Sequence, residues 1–136
     1  MIKVFIGGKG SGKTKTLIEL VNNATAASNG SVVCIEKGDK LTHDITYKAR
    51  LIDSDEYAIY EADTLYGFVA GVLASNSDIT DVFIDSALKI CDNDIDEFVK
   101  FVLTVDKMCR EHNIDIVMTS SIPVDQVPEE LKAYIG

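Results

Sequence analysis

The sequence predicts a three-layer α/β fold, one small domain with a mainly parallel sheet flanked by helices. Three observations carry that expectation. Four short apolar runs, at 2–6, 31–36, 81–85 and 114–118, lack the polar alternation of a half-exposed sheet, as expected of strands covered on both faces. Segments with helical spacing separate them, which implies right-handed crossovers between parallel strands. The length, 136 residues, is enough for one core and not for two.

The first run, Ile2-Lys3-Val4-Phe5-Ile6, leads into Gly7-Gly8-Lys9-Gly10-Ser11-Gly12-Lys13-Thr14. These eight residues satisfy G-x-x-x-x-G-K-[ST], the Walker A pattern, in full. Glycines allow the backbone to curl so that its N–H groups converge on a polyphosphate. Lys13 can then reach the outer phosphates, and the Thr14 hydroxyl can bind a magnesium ion. The helix that starts here adds its positive end to the same anion. A glycine-rich turn without a ligand would also fit the letters, but strand before and helix after favour the phosphate loop.

Residues 13–28 place Leu17, Leu20, Val21 and Ala24 on one helix face. Asn29-Gly30 reads as its stop, with glycine supplying a left-handed residue. The second strand, 31–36, ends in the carboxylate of Glu36. Between 37 and 62 the pattern weakens. Ile45, Tyr47, Ala49 and Leu51 alternate with polar residues, 57–60 is β-prone, and Asp53-Ser54-Asp55-Glu56 could turn a hairpin. A helix over 42–51 competes with that reading. Residues 62–75 suggest a helix with Leu65, Phe68, Val69 and Val72 buried, and with Gly67 and Gly71 packed tightly against another element.

The third strand, 81–85, ends in Asp85. The spacing of Ile95, Phe98, Val102, Val105 and Cys109 predicts a helix over 94–112, with Asp94 and Glu97 as a reciprocal capping box. The fourth strand ends in Thr119-Ser120-Ser121, and Pro128 suits the first turn of a short helix to 135.

Composition narrows the function. Thirteen basic against 22 acidic residues give a net charge of −9, so no general attraction to nucleic acid is expected. The three cysteines, Cys34, Cys91 and Cys109, are widely spaced and odd in number, which argues against a disulfide framework or a zinc site. Cys34 and Cys109 read as core thiols. No apolar stretch approaches a membrane span, and no signal pattern is evident; a cytoplasmic location is expected.

Ligands of open parallel sheets bind at the carboxyl ends of the strands. Those ends carry the glycine loop, Glu36, Asp85 and Thr119-Ser120. Asp85 can hold the magnesium and balance phosphate charge, or cap the following segment. Glu36 can polarise a water for attack on the γ-phosphate, or be an exposed strand end. A hydroxyl of Thr119 or Ser120 can sense the γ-phosphate of a bound nucleotide or position water, or the two can simply be polar strand-end residues in a loop.

Taken in order, these pieces resemble a P-loop NTPase, closest to the RecA-like group with its KaiC-type ATPases. The loop Gly7 to Thr14, Val32-Val33-Cys34-Ile35-Glu36, Val82-Phe83-Ile84-Asp85-Ser86 and Ile116-Val117-Met118-Thr119-Ser120 carry the likeness, over residues 1–121. The resemblance implies the three-layer P-loop NTPase fold, with the strand near 116 between the first strand and the one near 83. It implies ATP and Mg²⁺, and Glu36 as the catalytic glutamate. Two arginines, Arg50 and Arg110, give little material for a trans-acting arginine finger, and residues 37–80 match no part of the pattern. Hydrolysis of the β–γ bond is the leading expectation. A nucleotide-dependent binding module with little turnover and a small phosphotransferase are the alternatives. The sequence leaves open a protein partner or a homo-oligomer.

Overall fold

A computed structural model describes residues 1–136. Five parallel strands form one sheet: β1 (Ile2–Ile6), β2 (Ser31–Glu36), β3 (Arg50–Asp53), β4 (Ile79–Ile84) and β5 (Asp115–Ser120), in the order β1-β5-β4-β2-β3. β5 lies between β1 and β4, as the resemblance implied, with Ile6 opposite Ser120 and Ile84 opposite Met118. The helices are α1 (Lys13–Ala27), α2 (Ala62–Ser75), the one-turn α3 (Ala87–Ile90) and α4 (Ile95–His112).

Successive residues of a strand point to opposite faces, and here both faces are apolar. Val33, Ile35, Val82, Ile84, Ile116 and Met118 face α2 and α4 in a cluster of 27 buried residues. Val32, Cys34 and Phe83 face the other way, onto Leu17 and Val21 of α1. That arrangement accounts for apolar runs without alternation. All three cysteines are buried. Burial pushes the thiols of Cys34 and Cys91 up to about 12 and that of Cys109 to about 11, which makes them inert core groups.

Several expectations are corrected. No hairpin forms over 45–60. Leu41, Ile45 and Ala49 are buried against the α1 side, four residues apart, while Tyr47 is 91% exposed. The period-2 reading mistook this spacing for a strand; the segment is a series of turns, so the competing helix over 42–51 fails too. β3 follows it and runs parallel to β2, with Glu36 opposite Asp53. The Asp53 carboxylate accepts from the amides of Gly38 (2.8 Å) and Asp55 (2.9 Å), and so starts a 3₁₀ turn over Ser54–Tyr57 rather than a hairpin.

Gly30 is not a left-handed stop: α1 ends on extended Ser28, and a Cβ at Gly30 would collide with the Asp78 carbonyl. Close approach of the chain beside β4, not a positive φ, demands the glycine. Gly67 and Gly71 pack against nothing and face solvent. The capping box of α4 is half made. Asp94 Oδ1 accepts from Glu97 N at 3.1 Å, but the Asp94 amide already bonds the Cys91 carbonyl, and Glu97 turns to Lys100. The tail forms 3₁₀ turns, including Glu129–Tyr134, in place of an α-helix. It is fastened by buried Leu131, by Tyr134 Oη donating to Asp106 (2.8 Å), and by a single bridge from Ile135 to Val4 of β1.

Candidate functional site

The loop from Gly7 to Gly12 is held at both ends. Gly7 N–H donates to the Ile122 carbonyl at 3.0 Å, and Gly12, with φ of 85°, opens α1. Gly7 and Gly10 also have positive φ. At Gly7 the φ of 139° strains any L side chain, and a Cβ there, within 2.7 Å of Ser11 Oγ, would also make Ser11 shift. Within the loop, the amides of Gly8, Lys9, Gly10, Gly12, Lys13 and Thr14 donate to no acceptor in the chain. Six backbone donors beside a helix N-terminus form a ready anion cradle. Lys13 Nζ folds back over the loop onto the Gly8 carbonyl at 3.1 Å.

A hydroxyl–carboxylate network lies beneath the loop. Thr14 Oγ1 donates to Asp85 Oδ1 at 3.2 Å, and Thr119 Oγ1 donates to the same oxygen at 2.8 Å. Ser86 N–H in turn donates to Thr119 Oγ1 at 2.8 Å, and Asp85 N–H to the Ile35 carbonyl at 2.8 Å. Three strand ends, those of β2, β4 and β5, are thus tied to the first turn of α1. Asp85 and Thr119 are both buried. Thr119 is turned to Asp85 and Ser86, and Ser120 is wholly buried with a hydroxyl that has no partner.

Above the loop is a cavity of about 460 Å³ lined by ten residues, among them Lys9, Lys13, Thr14, Lys40, Ser86 and Lys89. Its size suits a nucleotide, and only one of the lining residues is apolar. The sequence had not singled out Ser86, Lys89, Asn93 or Ser121 as lining residues. Ser86, Lys89 and Asn93 follow the end of β4 and Ser121 follows that of β5, and no contiguous motif marks them in a lone sequence.

Glu36 is placed differently. Its carboxylate is 2% exposed and accepts from Leu41 N–H, at 3.1 Å to Oε2 and 3.3 Å to Oε1. It lines a neighbouring cleft of about 310 Å³ with Asp39, Arg50, Asp53 and Glu56, not the cavity above the loop. Burial raises its pKa above the usual carboxylate value; Leu41 and Lys40 amides oppose the shift, and Asp85 and Asp53 add to it. No three His, Cys, Asp or Glu side chains gather as a ready-made metal cage, and no helix is long and apolar enough to cross a membrane.

No family model matches the sequence, and no curated protein matches it. Among solved structures, the chain is similar to a KaiC-like protein of the hyperthermophilic archaeon Pyrococcus horikoshii. The TM-score is 0.69 at 15% identity, over 98% of this chain and 67% of that one. The backbone likeness spans nearly every residue while side-chain identity is low, so what it shows is the architecture: this chain has a KaiC-like P-loop fold.

Proposed function

We propose that this chain binds a Mg²⁺–nucleoside triphosphate, ATP in the first instance, through the loop Gly7 to Thr14, and hydrolyses its β–γ bond. One observation carries the reading: six loop amides are unbonded, and four of the residues that bear them, Lys9, Gly10, Lys13 and Thr14, line one cavity. The amides and Lys13 would hold the phosphates and stabilise charge that develops during transfer. Thr14 and Asp85 would hold Mg²⁺. Their contact supports this, because Mg²⁺ takes few protein ligands and fills its shell with phosphate and water. When bound, the ion would neutralise phosphate charge; the loop's own part is to fix the phosphates in line. ATP rather than GTP rests on the RecA-like resemblance.

A second reading has its own support. Glu36 is tied to Leu41 and lies outside the phosphate cavity, so its action on a water requires residues 37–41 to move. A nucleotide-dependent switch with little turnover would use that movement directly. Thermal unfolding with Mg²⁺ and a panel of nucleotides tests both, since binding to the native state raises Tm. A shift that disappears in Lys13→Ala is expected. No shift with any triphosphate would reject the proposal. Phosphate release that depends on Lys13 and Glu36 favours hydrolysis; binding without release favours the switch.

A further inference from the structure

The phosphate cavity is lined by four of the chain's thirteen basic residues, Lys9, Lys13, Lys40 and Lys89, and by no carboxylate. In a chain of net charge −9 that is a marked segregation. Lys9 and Lys13 belong to the glycine loop. The other two arrive independently, Lys40 from the turns after β2 and Lys89 from α3 after β4. Neither ammonium is held by a carboxylate: the lysine salt bridges of the chain are made by Lys37, Lys100 and Lys132, all outside this cavity. Like charges that converge on one cavity repel unless an anion lies among them.

Neither arginine takes this place. Arg110 is paired with Asp106 on α4 at 3.3 Å, and Arg50 lines the acidic cleft. We infer that Lys40 and Lys89 are the chain's own outer-phosphate cations, which distinguish a nucleoside triphosphate from a diphosphate without an arginine from a second copy. The inference rests on the nucleotide-binding reading above. A triphosphate carries one more negative charge than a diphosphate, and the two lysines approach from strands other than the one that feeds the loop. Lys40 has a further consequence. The next residue, Leu41, donates the amide that holds Glu36, so a phosphate that draws Lys40 inward also pulls on the Glu36 tether.

The test is calorimetric titration of the whole chain with Mg²⁺–ATP and with Mg²⁺–ADP. The native chain is expected to prefer the triphosphate. Lys40→Ala and Lys89→Ala should each weaken ATP about tenfold and leave ADP within about twofold, and Lys40→Arg and Lys89→Arg should keep the preference. Lys107→Ala, the same charge change on exposed α4, should leave the ATP-to-ADP ratio unchanged. Retained ADP binding shows that each variant is folded. The inference is overturned if the native chain binds both nucleotides equally, if both affinities fall together, or if neither alanine variant moves the ratio. Failure of the native chain to bind either nucleotide would instead overturn the nucleotide-binding reading, and this inference with it.

Discussion

Thr14 Oγ1 donates to Asp85 Oδ1 across 3.2 Å, which joins the last residue of the glycine loop to the end of β4. The two are 71 positions apart in sequence. Thr119, from β5, completes the network on the same carboxylate oxygen.

Thr119 is therefore a positioning residue for Asp85. Thr119→Val would leave Ser86 N–H and the buried carboxylate each short of a partner, a cost of about 1–3 kcal/mol. The half-saturating Mg²⁺ concentration for nucleotide binding should rise about tenfold or more, because the carboxylate loses its orienting donor. Thr119→Ser, which keeps the hydroxyl, should restore both. Denaturant unfolding and a magnesium titration with a fluorescent nucleotide read these effects. Valine with unchanged magnesium dependence would contradict the assignment.

Glu36 predicts opposite effects on stability and activity. Its pKa is raised by burial from the ordinary 4.5. A group raised in the folded state supports folding while protonated, and that support is lost as pH climbs through the folded value. Glu36→Gln keeps an acceptor for Leu41 N–H and removes the charge. Its Tm at neutral pH should equal or exceed that of the native chain, and the gap should narrow as pH falls through the raised folded value and be gone below about 4.5. Phosphate release should meanwhile drop by about 100-fold. A glutamine variant less stable at neutral pH, or a gap indifferent to pH, would be the wrong outcome.

Ser120 offers a sharper contrast with the expectation from sequence. Its hydroxyl is fully buried and unpartnered, so Ser120→Ala should be neutral or stabilising by about 1 kcal/mol. Nucleotide affinity should stay within about twofold. A tenfold loss of affinity would mean that the hydroxyl reaches the phosphates after all.

The sequence by itself determined the sheet strands that are apolar on both faces, the long helices and the glycine loop. Each of these is written in local periodicity or in a contiguous motif, where the backbone needs and the side-chain pattern coincide. The strand order was legible only through a family likeness. The segment 37–53 was not legible, because Leu41, Ile45 and Ala49 are buried by contact with α1 rather than by membership of a regular element. Tertiary structure alone decided which strand-end residues share a space. Glu36 and Asp85 both close apolar strands, yet one turns to Leu41 and the other to Thr14 and Thr119. The direction of a side chain at a strand end is set by the loop packed over it, and that loop's path depends on contacts made across the whole fold. The gathering of Lys40 and Lys89 around the cavity belongs to the same class, since they lie 49 positions apart and only the parallel sheet brings their strand ends to one edge.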